Sequence, residues 1–210
     1  MVRMLVLAIA LATSFGGRAN ASDDFTHYVL SLSWNASWCE IEGDDRRAEQ
    51  CDPRHDYGFV LHGLWPQGER DWPEYCRTGH ADPSRRQSAR MADIMGSPGL
   101  AWYQWKKHGR CSDLPAQDYF ALAREAFEMI EKPPVLRKLD KQVRVSARVV
   151  EDAFLDVNPN LRANQISVTC RDGYVQEVRV CLSKALVPRA CTAKVERGCQ
   201  AKSSLLPPIR

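Results

Sequence analysis

Gln165-Ile-Ser-Val-Thr-Cys-Arg-Asp-Gly-Tyr-Val-Gln-Glu-Val-Arg-Val-Cys-Leu182 reads as two strands, Gln165–Cys170 and Tyr174–Leu182, closed into a hairpin. Asp172-Gly173 between them supplies residues that tolerate positive φ, which a tight hairpin turn requires. Upstream the period changes from two to between three and four. Val149, Val150, Ala153, Phe154 and Val157 mark a helix over Ser146 to Asp156, ended by Asn158-Pro159. Tyr119, Leu122, Ala123, Ala126 and Ile130 mark an amphipathic helix over 116–131 that stops at Pro133-Pro134. Before it, Asp82-Pro83 opens a helix carrying Met91, Ile94 and Met95 up to Gly96, and a short helix spans Leu100 to Lys107. At the front, Tyr28, Leu30, Leu32 and Trp34 alternate with His27, Val29, Ser31 and Ser33 as a strand with one strongly apolar face. Tyr57 to Leu61 is a short buried strand with His62 at its end. The expectation is an α+β fold: a central antiparallel sheet with helices packed on it. The tail after Cys199 is expected to fray.

The 210 residues suffice for one domain with a substantial core. Arg3, the apolar run from Met4 to Thr13 and the small-x-small Ala19-Asn20-Ala21 read as an export signal over residues 1–21, leaving a domain over 22–210. The apolar run is about half of the roughly 20 residues that span a bilayer, so no membrane anchor is expected after cleavage. Of the 29 Lys and Arg residues, Arg3 and Arg18 leave with the signal, so 27 stand against 26 acidic residues, a charge of +1. A protein that holds nucleic acid mainly by neutralising its backbone shows a larger basic excess, so any such contact is local.

All eight cysteines follow the export signal, and an even count in that setting argues for a disulfide-stabilised chain in the periplasm or secreted. Zinc is disfavoured because no two cysteines lie two to four residues apart. No metal and no cofactor are called for. Asn35-Ala-Ser37 is a glycosylation sequon that matters only on a eukaryotic secretory route.

Two stretches concentrate chemistry-bearing side chains: Phe59-Val-Leu-His-Gly-Leu-Trp-Pro-Gln67 and Trp102-Tyr-Gln-Trp-Lys-Lys-His-Gly-Arg-Cys111. On a helix Gln104, Lys107 and His108 share one face while Trp105 points elsewhere, toward the core. Taken singly, each histidine fits a blander role, His62 as a core residue and Lys107 with His108 as a solvated helix end. Taken together, the stretches resemble the two active-site signatures of the ribonuclease T2 family. His62-Gly-Leu-Trp-Pro66 is the first, and Gln104-Trp-Lys-Lys-His-Gly-Arg-Cys111 matches Glu-Trp-x-Lys-His-Gly-Thr-Cys except at two positions. The opening strand with Cys39 and the closing Glu177–Leu182 segment with Cys191 also look like that family's ends.

The resemblance implies a metal-independent endoribonuclease of low base specificity. It would cleave single-stranded RNA by transphosphorylation through a 2′,3′-cyclic phosphate. His108 would be the general base, His62 the general acid, and Lys107 the cation that stabilises the phosphorane-like transition state. DNA lacks the 2′-hydroxyl and would not be cut. Trp65 is a candidate either for stacking on a base or for packing, and Gln67 for hydrogen-bonding the base edge. Gln104 replaces the family's Glu, and an amide cannot exchange a proton near neutrality. Tyr103 stands where many members carry a third His, and its hydroxyl is still able to meet a phosphate oxygen. The resemblance also implies a Cys76–Cys111 bridge pinning the cleft walls, a local Cys39–Cys51 bridge, and Cys170–Cys199 nested outside Cys181–Cys191. Spacing alone does not select among the three pairings of those last four. The expected protein is a monomer with RNA as its partner. The alternative is an exported RNA-binding or interaction protein on the same fold with faded chemistry, and a disulfide-rich scaffold with no nucleic-acid role is the third reading.

Overall fold

A computed structural model describes residues 25–210, so the export signal over 1–21 lies outside the described residues. The chain runs β1 (His27–Trp34), α1 (Asn35–Trp38), β2 (Phe59–Gln67), α2 (Arg85–Ala89), α3 (Ala92–Met95), α4 (Pro98–Lys107), α5 (Ala116–Met129) and α6 (Pro134–Arg137). It continues through β3 (Val143–Val145), α7 (Ala147–Val157), β4 (Ile166–Arg171), β5 (Tyr174–Ser183), α8 (Ala193–Glu196) and β6 (Ser204–Leu206). The strands make one six-stranded sheet in the order β2-β1-β5-β6-β3, with β4 also paired to β5. Every pair is antiparallel except β5 with β6, which meet in parallel at Tyr174 and Leu205. The α+β expectation holds.

Both faces of β1 are covered, and they are covered differently. Tyr28, Leu30, Leu32 and Trp34 enter the main core with Trp105, Tyr119 and Phe154, beneath the helices. Val29 belongs instead to a small second cluster with Trp65, Cys181 and Val195. The first face is apolar core, and the second, with Ser31, Ser33 and Glu177, is the floor of a cleft.

Three differences from the sequence reading bear most on the fold, each for a local reason. The second strand runs on through His62 to Gln67, so His62 is mid-strand. Its partner residues step from Ser31↔Gly63 to Leu32↔Leu61, which makes His62 the extra residue of a β-bulge. The helix expected at Asp82-Pro83 begins at Arg85 instead. Ser84 caps it in a reciprocal capping box with Gln87, while Asp82 accepts from Trp105 Nε1 (2.9 Å) and Arg110. The chain after Cys199 is not frayed. Ser204 and Leu206 are buried, β6 pairs with β3, and Trp34 Nε1 donates to the Pro207 carbonyl (2.9 Å).

All four disulfides form as the resemblance implied: Cys39–Cys51, Cys76–Cys111, Cys170–Cys199 and Cys181–Cys191. The Asn35 side chain is buried and donates to the Gln50 carbonyl (2.8 Å), so the sequon is closed to modification in the folded chain. Val149, expected on the packed face of its helix, is 51% exposed, and Val150 and Phe154 carry that packing.

Candidate active site

A cleft of about 800 Å³ runs between the polar sheet face and α4. The bulge decides what its floor presents. In a regular strand residues i and i+3 point to opposite faces, but the extra residue at His62 turns both His62 and Trp65 into the cleft. Their rings meet edge to face at 5.5 Å between centroids. Gly63 between them lies so close to α4 that a Cβ would stand 2.4 Å from Gln104 Oε1 and 2.4 Å from Trp65 Nε1. The glycine of the first motif is therefore what lets the helix approach.

That helix is started by Ser97, whose side chain accepts from the Leu100 N–H (3.1 Å), with Pro98 in its first turn. It therefore begins two residues before the expected Leu100. Trp105 goes to the core, while Tyr103, Gln104, Lys107 and His108 line the cleft. His108 ends the helix, and its N–H still donates to the Gln104 carbonyl (2.9 Å). Gly109 follows because a Cβ there would meet Trp105 at 2.6 Å and Tyr119 at 2.9 Å. The Cys76–Cys111 bridge ties the turn after α4 to the 69–81 segment. The Tyr75 N–H donates to the Lys107 carbonyl (2.7 Å), and Glu74 reaches Lys107 Nζ at 3.2 Å.

The two histidines stand on the same indole. Trp65 packs against the His108 ring at 5.1 Å and against His62 at 5.5 Å, and its Nε1 donates to Gln104 Oε1 (2.8 Å). Trp65 is 5% exposed. Of its two candidate roles the structure shows packing: it is the spacer that sets the distance between the histidines. Gln104, with its carbonyl oxygen engaged there, holds that spacer.

The two histidines have different neighbours. His108 is buried, and desolvation, followed by the charges of Lys107 and His62, lowers its pKa to about 3. It rests as a neutral base. His62 Nδ1 lies 2.5 Å from Oε1 of Glu177 on β5. Burial pushes against ionisation of Glu177, yet His62 and Arg179 outweigh it and hold its pKa at about 2. Arg179 donates twice to Glu177 Oε2, at 3.0 and 2.7 Å, and its guanidinium lies 5.2 Å from the Trp65 ring.

Most residues picked out from the sequence converge here: His62, His108, Lys107, Gln104, Trp65 and Tyr103 all line the cleft. Gln67 does not. It is 1% exposed, sits opposite His27, and lies outside the cleft lining. The sheet face is closed off before it by the cluster in which Trp72 and Cys191 pack with Trp65 and Val195. Glu177, Arg179 and the partly exposed Trp72 were missed. Glu177 and Arg179 had one signal: opposite charges two apart in a strand where Val175, Val178 and Val180 are apolar.

Residues 25–191 match the model of the Ribonuclease T2 family. The chain belongs to the ribonuclease T2 family. Among its relatives, this T2 protein is 35% identical over 133 residues to a ribonuclease of Aeromonas hydrophila, covering 62% of this chain and 59% of that one. It is 27% identical over 151 residues to a ribonuclease-like storage protein of Panax ginseng, covering 62% and 58%. It thus spans less than two thirds of the length of either relative. Its fold matches the RNase-related protein from Calystegia sepium with a TM-score of 0.65 at 19% identity, over 88% of this chain and 98% of that one.

Proposed function

We propose that this T2 protein is an endoribonuclease that cleaves single-stranded RNA through a 2′,3′-cyclic phosphate, with His108 as general base and His62 as general acid. The observation that carries the reading is that both imidazoles rest on the Trp65 indole in one cleft, one beside a buried carboxylate and the other beside a lysine. His108 is pushed toward the neutral form that a base requires, while the Nδ1 of His62 is held by a carboxylate. The neutral His108 takes the 2′-hydroxyl proton as the 2′-oxygen attacks phosphorus. His62, its Nδ1 engaged by Glu177, presents Nε2 to the 5′-oxygen that leaves. Lys107 and the free NH₂ end of Gln104 face the phosphate, where charge builds in the transition state.

The histidines need no metal for these transfers, and DNA has no nucleophile to offer. Trp65 is too enclosed to stack on a base, so stacking falls to Tyr103, 44% exposed, and to Trp72. The protein acts as an exported monomer, in the periplasm or outside the cell, where four disulfides persist. Among the described residues no helix is long and apolar enough to cross a membrane.

A second reading, an RNA-binding protein with faded chemistry, is favoured by one observation. Gln104 stands where the family signature has Glu, and its carbonyl serves Trp65. Incubating the oxidised protein with single-stranded RNA and matched DNA in EDTA separates the two. RNA-only cleavage leaving cyclic-phosphate ends supports the enzyme, whereas tight RNA binding without turnover supports the binder.

A further inference from the structure

Glu177 is the one buried acidic side chain among the described residues, 2% exposed in a central strand. Burying a carboxylate is costly, and an apolar side chain of similar volume stabilises a fold as well or better. A buried ion pair in such a place therefore calls for a reason beyond stability. Both oxygens of Glu177 are occupied: Oε1 by His62 Nδ1, and Oε2 by two donors of Arg179. The carboxylate is thus fixed in orientation, and it fixes the imidazole in turn. With Nδ1–H held by Glu177, Nε2 is the nitrogen of His62 that faces the cleft.

Across the cleft, α4 supplies no such group. Position 104, where the T2 signature carries Glu, holds an amide spent on Trp65 Nε1. The carboxylate of this site comes from the sheet floor and acts on the acid, not from the helix wall.

We propose that Glu177, braced by Arg179, is the positioning residue that holds His62 with Nε2 aimed at the leaving group, in place of a carboxylate at position 104. The inference rests on the reading of His62 as the general acid. In the step it supports, a bond forms between the 2′-oxygen and phosphorus while the 2′-proton passes to His108. The bond from phosphorus to the 5′-oxygen breaks with its electron pair on oxygen, and the Nε2 proton of His62 neutralises it, so an alcohol departs. Glu177 stays ionised throughout and keeps its hydrogen bond to the now neutral ring.

A leaving group that needs no proton isolates this role. Two substrates are compared, a dinucleoside monophosphate and the 4-nitrophenyl ester of uridine 3′-phosphate, whose nitrophenolate leaves unprotonated. For Glu177→Gln, kcat/KM on the dinucleotide falls about 10²-fold, the lower range for a general acid, while the ester is cleaved within about threefold of wild type. His62→Ala shows the same split, and Glu177→Asp, which keeps the charge on a shorter arm, falls between. In wild type the His62 Nδ1 proton resonates far downfield, as short charged hydrogen bonds do. Equal losses on both substrates for Glu177→Gln, with the split retained by His62→Ala, reduce Glu177 to a structural role and overturn the proposal. So does wild-type cleavage of both. If His62→Ala itself loses both substrates equally, His62 is not the acid and the underlying reading falls with it. If Glu177→Gln does not fold, Glu177→Asp and the wild-type resonance decide: an unshifted His62 N–H contradicts the proposal.

Discussion

Replacing Gly63 with alanine puts a methyl group 2.4 Å from both Gln104 Oε1 and Trp65 Nε1. Comfortable contact begins about 1 Å further out. Gln104 is 2% exposed and bonded to Trp65, and Trp65 is a rigid ring packed against His62 and His108, so neither can swing into solvent. The variant must push α4 off β2 or break the indole–amide bond. Overpacking of this kind costs about 1–3 kcal/mol, and the lost hydrogen bond adds about 1 kcal/mol. The larger effect is on chemistry. A displacement near 1 Å of the group that spaces the two histidines lowers the rate about 10²-fold. Urea unfolding and initial rates on a single-stranded oligoribonucleotide, taken where the variant is fully folded, measure the two effects separately. Gly79→Ala is the control, since a Cβ there meets nothing within 4 Å. Unchanged stability and unchanged rate in Gly63→Ala would refute the close approach of α4 and the spacer role of Trp65.

Acid should destabilise the fold in two windows. His108 and Glu177 both have folded-state pKa values below their unfolded ones, so the unfolded chain binds protons first and stability is lost as pH falls. The His108 contribution, on the order of 5 kcal/mol, disappears from about 6.5 down to about 3, and that of Glu177 from about 4.5 down to about 2. In urea titrations His108→Gln flattens the upper window, and an unaltered slope there would count against a buried neutral His108. A phosphate dianion in the cleft raises the His108 pKa, because it offsets Lys107 and stabilises the imidazolium; NMR titration with and without a nucleotide 3′-phosphate reads this directly. Gln104→Ala strands Trp65 Nε1 and costs about 1–3 kcal/mol, whereas Gln104→Glu keeps an acceptor there and retains more activity, as parallel rate and melting measurements will show. Deleting residues 204–210 removes buried Leu206 and the acceptor of Trp34 Nε1. A loss of at least about 3 kcal/mol follows in urea unfolding, where a frayed tail would give none.

The fold was legible where a period runs uninterrupted. Tyr28 to Trp34 alternates cleanly, and the Asp172-Gly173 turn fixes its hairpin, so β1, β4 and β5 could be read within a residue or so. Beyond Leu61 the pattern fails because Gly63 and Pro66 both argue against a strand. Only the close approach of α4 shows why Gly63 is tolerated there, and the bulge at His62 leaves no mark in composition. β6 is three residues long between Ser203 and Pro207, too short to carry a period, and it is held by partners more than 30 residues distant. The site was legible through its two motifs, which supplied both histidines, Lys107 and Gln104. Gln67, expected at a base edge, is instead enclosed and outside the cleft lining, because the sheet face is roofed before it is reached. Glu177 and Arg179 went unread because charges on a strand suggest a solvated face, whereas here the strand is central and the charges satisfy each other and His62.

The complementary pairing of the two histidines is tested most directly by the pH dependence of kcat/KM on single-stranded RNA for wild type, His108→Ala and His62→Ala. Wild type should give a bell whose acid limb, set by the base, falls near the His108 pKa of about 3 and whose alkaline limb is set by the acid. The residual activity of His108→Ala should lose the acid limb alone, and that of His62→Ala the alkaline limb alone. A variant that keeps both limbs at a wild-type rate would contradict the assignment of that histidine.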